Sequence, residues 1–311
     1  YKMNLKPINQ INLYGLDEFF LDFIKLYQNK KLPNKILLSG DKGLGKSTLA
    51  FHLVNYIFSR DEEFKYDYKN FKINPENKSF KLINNRASPN FTLIDTLDEK
   101  KNIDINQIRN LIIDLNKSSF NNKERFVIID NIERMNINSI NALLKILEEP
   151  PVKTFFILIN NDRFVLPTLK SRCINFRIFL SHANIIDILN QLLNEDMHKL
   201  IDKSLLNYYV TPGNLYKMIM LFKHNNHDLK NYNLKTFLNF IIKENLYKKD
   251  NLMKNIILEY IELFFRKNIS EASLKKDEFY SYFLKRINDT KKLNLDEESL
   301  FFEFEYKVLN G

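Results

Sequence analysis

The chain has one cysteine, Cys173, among 311 residues. That excludes an internal disulfide and any multi-cysteine zinc module, so no zinc is expected. Cys173 itself reads as a small hydrophobe beside a strand rather than as a catalytic thiol. No apolar run approaches the roughly 18 to 20 residues of a membrane span, and no membrane association is expected. Nothing at the start has the basic-then-apolar form of a signal peptide, which makes the cytoplasm the expected compartment. The chain begins at Tyr1 rather than Met, which suggests a trimmed N-terminus. Arginine is scarce too: of 47 basic residues only 10 are Arg, against a net charge of +9. Richness in Lys, Asn, Ile, Phe and Tyr suits an AT-rich genome, so the basic balance is weak support for polyanion binding. At 44% hydrophobic and 27% charged, the composition is that of a folded protein, long enough for two or three domains.

Glycine is the most informative scarcity. The chain has six, and three of them, Gly40, Gly43 and Gly45, fall within six residues. Glycine permits positive φ and close approach of backbone to a ligand. The cluster follows the apolar run Ile36-Leu37-Leu38 and precedes Ala50, Leu53, Val54 and Ile57, which recur at helical spacing. Strand, Gly-rich turn, Gly-Lys-Ser and helix form the P-loop context. Gly40, Asp41, Lys42, Gly43, Leu44, Gly45, Lys46, Ser47 and Thr48 are therefore the candidate nucleotide-binding residues. Backbone N–H groups and the helix N-terminus wrap phosphate. Lys46 is expected at the β/γ-phosphates and Ser47 on Mg²⁺, giving ATP or ADP with Mg²⁺ as the expected cofactors. The bland alternative is a tight turn that holds no ligand.

A second apolar run, Phe126-Val127-Ile128-Ile129, ends in Asp130. An acid at the carboxyl end of such a strand is the Walker B arrangement and gives Mg²⁺ a second protein ligand. The alternative is a loop Asp that caps a helix. The next residue is Asn131, where hydrolysing P-loop ATPases of this kind usually carry a Glu. An amide orients water but cannot take its proton. Glu133 lies three residues beyond Asp130 and is expected to point elsewhere. The site therefore reads as built to bind ATP and poorly built to cleave it.

Downstream, Ile140, Leu143, Leu144 and Leu147 trace one helix face that Pro150-Pro151 stop. Phe155 to Ile159 follow as a strand tipped by Asn160-Asn161, then Leu166-Pro-Thr-Leu-Lys-Ser-Arg-Cys173. The Leu-Leu-Lys-Ile-Leu-Glu-Glu-Pro-Pro helix end, the Asn-tipped strand and Ser171-Arg172-Cys173 together resemble the clamp-loader branch of the AAA+ ATPases. With the P-loop, the resemblance covers roughly residues 5–220. It implies that Arg172 acts as an arginine finger in trans on nucleotide held by a neighbouring subunit. It also implies that Asn160 or Asn161 is the polar sensor after the fourth strand. In hydrolysing members a lid Arg stands where Thr211-Pro-Gly-Asn-Leu-Tyr216 places Tyr216. Loss of the Walker B Glu and of the lid Arg, with the finger kept, resembles the delta-prime type, with little or no ATPase activity of its own. The implied partners are gamma/tau and delta subunits, a sliding clamp and primer-template DNA. The other readings are an active gamma/tau-like ATPase, another DNA-processing AAA+ ATPase and, from a different class, a P-loop kinase of small molecules. The last leaves Ser-Arg-Cys unexplained.

The expected fold is α/β: an AAA+ doubly wound parallel sheet, then a helical lid and an all-α C-terminal collar. Strands are expected near 35–39, 91–95, 126–130, 155–159 and 174–179, and a helix over 105–115. The expected domains are 1–180, 181–224 and 225–311. Residues 60–89 read as an irregular insertion and 224–233 as a polar linker. His224 and His227 could form a metal pair, but a solvated linker fits better.

Overall fold

A computed structural model of the chain describes residues 6–96, 102–117, 123–161, 164–206, 209–249, 251–268, 274–293 and 295–310. The chain forms two compact units, Tyr1–Ile188 and Leu189–Gly311. The first contains α1 (Asp17–Gln28), β1 (Lys35–Ser39), α2 (Lys46–Phe58), α3 (Lys78–Asn84), β2 (Phe91–Ile94) and α4 (Ile105–Asn116). It continues through β3 (Arg125–Ile129), α5 (Ile137–Glu148), β4 (Thr154–Asn160), α6 (Pro167–Lys170), β5 (Ile174–Arg177) and the start of α7 (His182–Leu193).

All five strands pair in parallel, in the order β2-β3-β4-β1-β5. The expected strands are all present, and the doubly wound sheet is the expected class. Central strands covered by helices on both faces read as continuous apolar runs, which is why 36–38, 126–129 and 156–159 do not alternate. Leu37, Val127, Ile129, Phe156 and Leu158 share one core with Ile108 and Leu111 of α4 and Leu143 and Leu147 of α5. Ile36, Leu38 and Ile157 meet Phe23, Leu49 and Leu53 on the other face. β1 lies between β4 and β5, so its carboxyl end opens on the sheet's rim one strand in from the β5 edge. In such sheets ligands bind beyond the carboxyl ends of the strands.

The insertion at 60–89 has more order than its composition suggested. Glu62 accepts hydrogen bonds from the N–H groups of Lys78 (2.8 Å) and Ser79 (3.0 Å) at the start of α3. Asn77 caps the same helix through Phe80 N (2.8 Å) and receives the Asn55 amide (3.2 Å). Isolated antiparallel bridges join Lys72 to Asp67 and to Asn12. Beneath them His52 is fully buried, with Nδ1 2.8 Å from Tyr66 Oη and Nε2 3.1 Å from the Gln10 carbonyl. A carbonyl only accepts, so Nε2 carries the proton and Tyr66 donates to Nδ1. Burial drives the His52 pKa down to about 3, against a weaker opposing effect of the Gln10 carbonyl. The folded value lies below the unfolded one, so the unfolded chain takes the extra proton. This stability is complete above pH 6.5 and falls as pH drops below it, by about 1.4 kcal/mol per unit. Between pH 7 and 5, urea unfolding should therefore show a loss about 2 kcal/mol smaller in His52→Gln than in the unmodified chain.

The second unit, after the end of α7, is helical: α8 (Met197–Leu200), α9 (Lys203–Leu206), α10 (Pro212–His224), α11 (Leu234–Lys243), α12 (Leu246–Lys249), α13 (Asn251–Asn268), α14 (Leu274–Leu293) and α15 (Glu297–Phe304). The expected lid and collar both fall in it, apart from the first residues of α7. Residues 224–233 are largely exposed, as expected of a polar stretch, but are anchored at His227, Leu229 and Tyr232. His227 packs its ring 4.5 Å from that of Phe240, Leu229 is buried, and Phe222 stacks on Phe237 at 5.5 Å. Apolar side chains within the polar stretch anchor it as a packed turn. Among the described residues no group of three or more His, Cys, Asp or Glu is placed to hold a metal. No described helix is long and apolar enough to cross a membrane.

Candidate nucleotide site

The site is built where β1 ends. Ser39 closes the strand, and the chain turns through Gly40 (φ 145°), Gly43 (φ 91°) and Gly45 (φ 86°) before α2 begins at Lys46. A Cβ on Gly40 would lie 2.4 Å from the Ile178 carbonyl oxygen, so the loop closes only around glycine. Leu44 is buried and anchors the middle of the loop, with Asp41 and Lys42 on its rising limb. Lys46, Ser47 and Thr48 form the first turn of α2, whose N–H groups present the positive end of the helix dipole.

Lys46 is only 2% exposed, and its ammonium donates to the carbonyls of Gly40 (2.8 Å) and Asp41 (2.7 Å). Burial lowers its pKa to about 8, against the opposing carboxylates of Asp130, Glu133 and Asp41. A buried ammonium spanning the loop is suited to donate to anionic oxygens in place of these carbonyls. The Ser47 hydroxyl donates to Asp130 Oδ2. One hydroxyl and one carboxylate are a sufficient protein share for Mg²⁺, which completes its octahedron with phosphate and water. The glycine cradle, the buried Lys46 and the Ser47–Asp130 pair therefore fit a magnesium nucleotide.

Asp130 follows β3 and belongs to a hydrogen-bonded corner. Its Oδ1 accepts from the Asn131 N–H (2.8 Å) and from Asn161 Nδ2 (3.1 Å). Burial raises its pKa most, the charge of Asp95 adds to that, and the hydrogen bond from Ser47 works against both. Asn131 has φ 56°, a left-handed backbone that Asn tolerates better than most residues. Its Nδ2 donates to Asp95 Oδ1 (2.7 Å), and its Oδ1 accepts from Asn161 Nδ2 (3.1 Å). Glu133, set aside by the sequence, is in the corner too: it accepts from Asn161 N at 3.0 Å.

The two candidate sensor amides separate. Asn160 is the last residue of β4, opposite Ser39, and its buried side chain donates to Phe164 O (3.2 Å). Asn161 reaches Asp130. The structure thus brings together residues 40–48, Asp130, Asn131 and Asn161. Arg172 is engaged elsewhere: its guanidinium holds Glu148 at 2.5 and 3.1 Å and the Thr168 carbonyl at 3.1 Å. Tyr216 is buried in α10, in the second unit, where burial raises its pKa. The residue that sequence reading missed is Asp95. Its signal was present, because Asp95 ends the apolar run Phe91–Ile94 as Asp130 ends its own.

A sequence model of the family described as DNA polymerase III, delta subunit matches residues 16–180. The chain is 25% identical over 283 residues to DNA polymerase III subunit delta' of Buchnera aphidicola subsp. Schizaphis graminum, covering 86% of this chain and 82% of that one. It is 30% identical over 139 residues to the subunit delta' of Pseudomonas aeruginosa, covering 44% and 40%. Subunit gamma of the same Buchnera is 28% identical over 210 residues, covering 65% and 55%. Among solved structures, a DNA polymerase III gamma subunit-related protein of Thermotoga maritima has 20% identity and a TM-score of 0.47, covering 90% and 96%.

Proposed function

This chain belongs to the DNA polymerase III, delta subunit family, and on that premise we propose that it is a delta-prime clamp-loader subunit that holds ATP or ADP with Mg²⁺ without splitting it efficiently. Its relatives include delta-prime and gamma subunits of DNA polymerase III, which supports membership of a clamp loader. The nucleotide role rests on the geometry of the loop. Its single most direct support is the Ser47–Asp130 hydrogen bond beside the buried Lys46, inside a turn that admits only glycine at position 40.

Each residue has a task in that reading. The N–H groups of 40–48 and the Lys46 ammonium bind the phosphates, while Ser47 and Asp130 hold the metal, which neutralises phosphate charge. Asn161 holds Asp130 in place from the far side. Asn131 orients water but does not deprotonate it, and the carboxylate that does reach the corner, Glu133, is held by the Asn161 N–H, so water is poorly activated in this reading. Arg172 is presented to nucleotide on a neighbouring subunit. The proposed partners are gamma/tau and delta subunits, a sliding clamp and primer-template DNA, in the cytoplasm. DNA contact of this kind runs through phosphates and weakens with salt.

Calorimetry on the isolated chain tests the nucleotide role. Binding of ADP is expected below about 1 mM and to weaken when Mg²⁺ is chelated. Absence of heat at that concentration with Mg²⁺ present would remove the nucleotide from the account.

A further inference from the structure

We infer that Asp95 is the positioning residue of this site: it sets the direction of the Asn131 amide and, through Asn161, the presentation of Asp130. The inference rests on the nucleotide-binding reading above. β2 and β3 pair with Ile94 beside Ile129, and Asp130 N donates to Ile94 O at 2.9 Å. Residues 95 and 130 therefore leave the sheet side by side. The Asp95 Oδ1 accepts from Thr96 N (2.6 Å) and from Asn131 Nδ2 (2.7 Å). With its NH₂ held there, Asn131 turns its oxygen to Asn161 Nδ2, the same group that donates to Asp130. The backbone of Asp95 is itself fixed, because its carbonyl accepts from Gln107 Nε2 (2.9 Å). Gln107 also closes the capping box of α4.

This arrangement selects the chemistry at position 131. A carboxylate on the neighbouring strand end calls for a donor opposite it, and an amide supplies one while offering its oxygen to Asn161. A carboxylate at 131 would instead face Asp95 as a like charge. The acid that position 131 lacks thus stands at 95, where it holds the amide rather than the metal.

The test compares ADP affinity of the full chain with Mg²⁺ and with a chelator, by calorimetry. In Asp95→Ala the affinity with Mg²⁺ falls about tenfold while the chelated value stays put, because the loop and Lys46 are untouched. Asp95→Asn keeps an oxygen acceptor for Asn131 and stays within about twofold of the unmodified chain. An unchanged Mg²⁺ dependence in Asp95→Ala, even with a lower melting temperature, overturns the inference. So does Asp95→Asn failing together with Asp95→Ala. If the unmodified chain binds no ADP, the nucleotide reading fails separately, and side-chain amide signals in the nucleotide-free chain decide the positioning role. With selective ¹⁵N-asparagine labelling, the Asn161 signals shift in Asp95→Ala and hold in Asp95→Asn. Signals unmoved in both variants overturn it.

Discussion

Arg172→Ala lowers ATP hydrolysis at the site it serves in a reconstituted clamp loader by about a hundredfold or more, and leaves the isolated chain folded. A guanidinium gives several donors in a rigid fork to charge developing on phosphate oxygens. Fingers supplied in trans are worth about 10³ or more in rate where they have been removed. Arg172 lies at the turn between α6 and β5, where Pro167 starts a short helix and Cys173 is buried, and the proposed role asks only that its guanidinium leave Glu148. Its ion pair with Glu148 leaves both side chains substantially exposed, at 31% and 55%. A pair of that exposure is worth about 1 kcal/mol or less, so releasing the guanidinium to another chain costs little. For the same reason Arg172→Ala changes the stability of the isolated chain by no more than about 1 kcal/mol. Arg172→Lys fails as well, since one ammonium cannot reproduce the fork. Phosphate release from the complete complex, with and without DNA, checks both variants. Unchanged release would leave Arg172 as a surface ion-pair partner of Glu148.

Gly40→Ala destabilises the chain by about 3 kcal/mol or more and weakens nucleotide binding about a hundredfold. Two costs add. A φ of 145° is open to glycine and strained for any residue with a Cβ. The new methyl would also lie 2.4 Å from the Ile178 carbonyl oxygen. That oxygen belongs to backbone already fixed at the rim of the sheet, since Ile178 N donates to Ser39 O at 2.8 Å. No rotamer change relieves the clash, so either the loop or the end of β5 must move. Gly45 makes the contrast: a Cβ there meets only the flexible tip of Leu16, at 3.2 Å. Gly45→Ala therefore carries mainly the strain of its φ, about 1–2 kcal/mol. Urea unfolding of the two variants ranks them, and equal losses would mean that the Ile178 contact is not what fixes the loop.

The sheet and the loop were legible because each rests on local pattern. Runs such as 126–129 are too apolar for anything but a covered strand, and a chain with six glycines places three of them in one loop, each at a positive φ. What escaped depends on register between distant segments. Asp95 and Asn131 are 36 residues apart, and only the parallel pairing of β2 with β3 makes them neighbours. The choice between Asn160 and Asn161 likewise turns on which residue ends the pairing with β1. Asn160 sits opposite Ser39 and turns inward, which leaves Asn161 as the amide that reaches Asp130. In 224–233 the abundance of Asn, His and Lys masked Leu229 and Tyr232, whose packing fixes the turn. The insertion at 60–89 was underestimated for a related reason. Its order comes from single polar contacts such as Glu62 on α3 and His52 on Tyr66, which leave no periodic trace.

The central claim is that the loop holds a nucleotide that the chain does not split. The most direct measurement is phosphate release from ATP by the isolated chain at a concentration where calorimetry shows the loop filled, with Lys46→Ala as the control. The account predicts bound nucleotide and no release above that control. Turnover on the order of one per second, lost in Lys46→Ala, would contradict it and make the chain an ATPase in its own right.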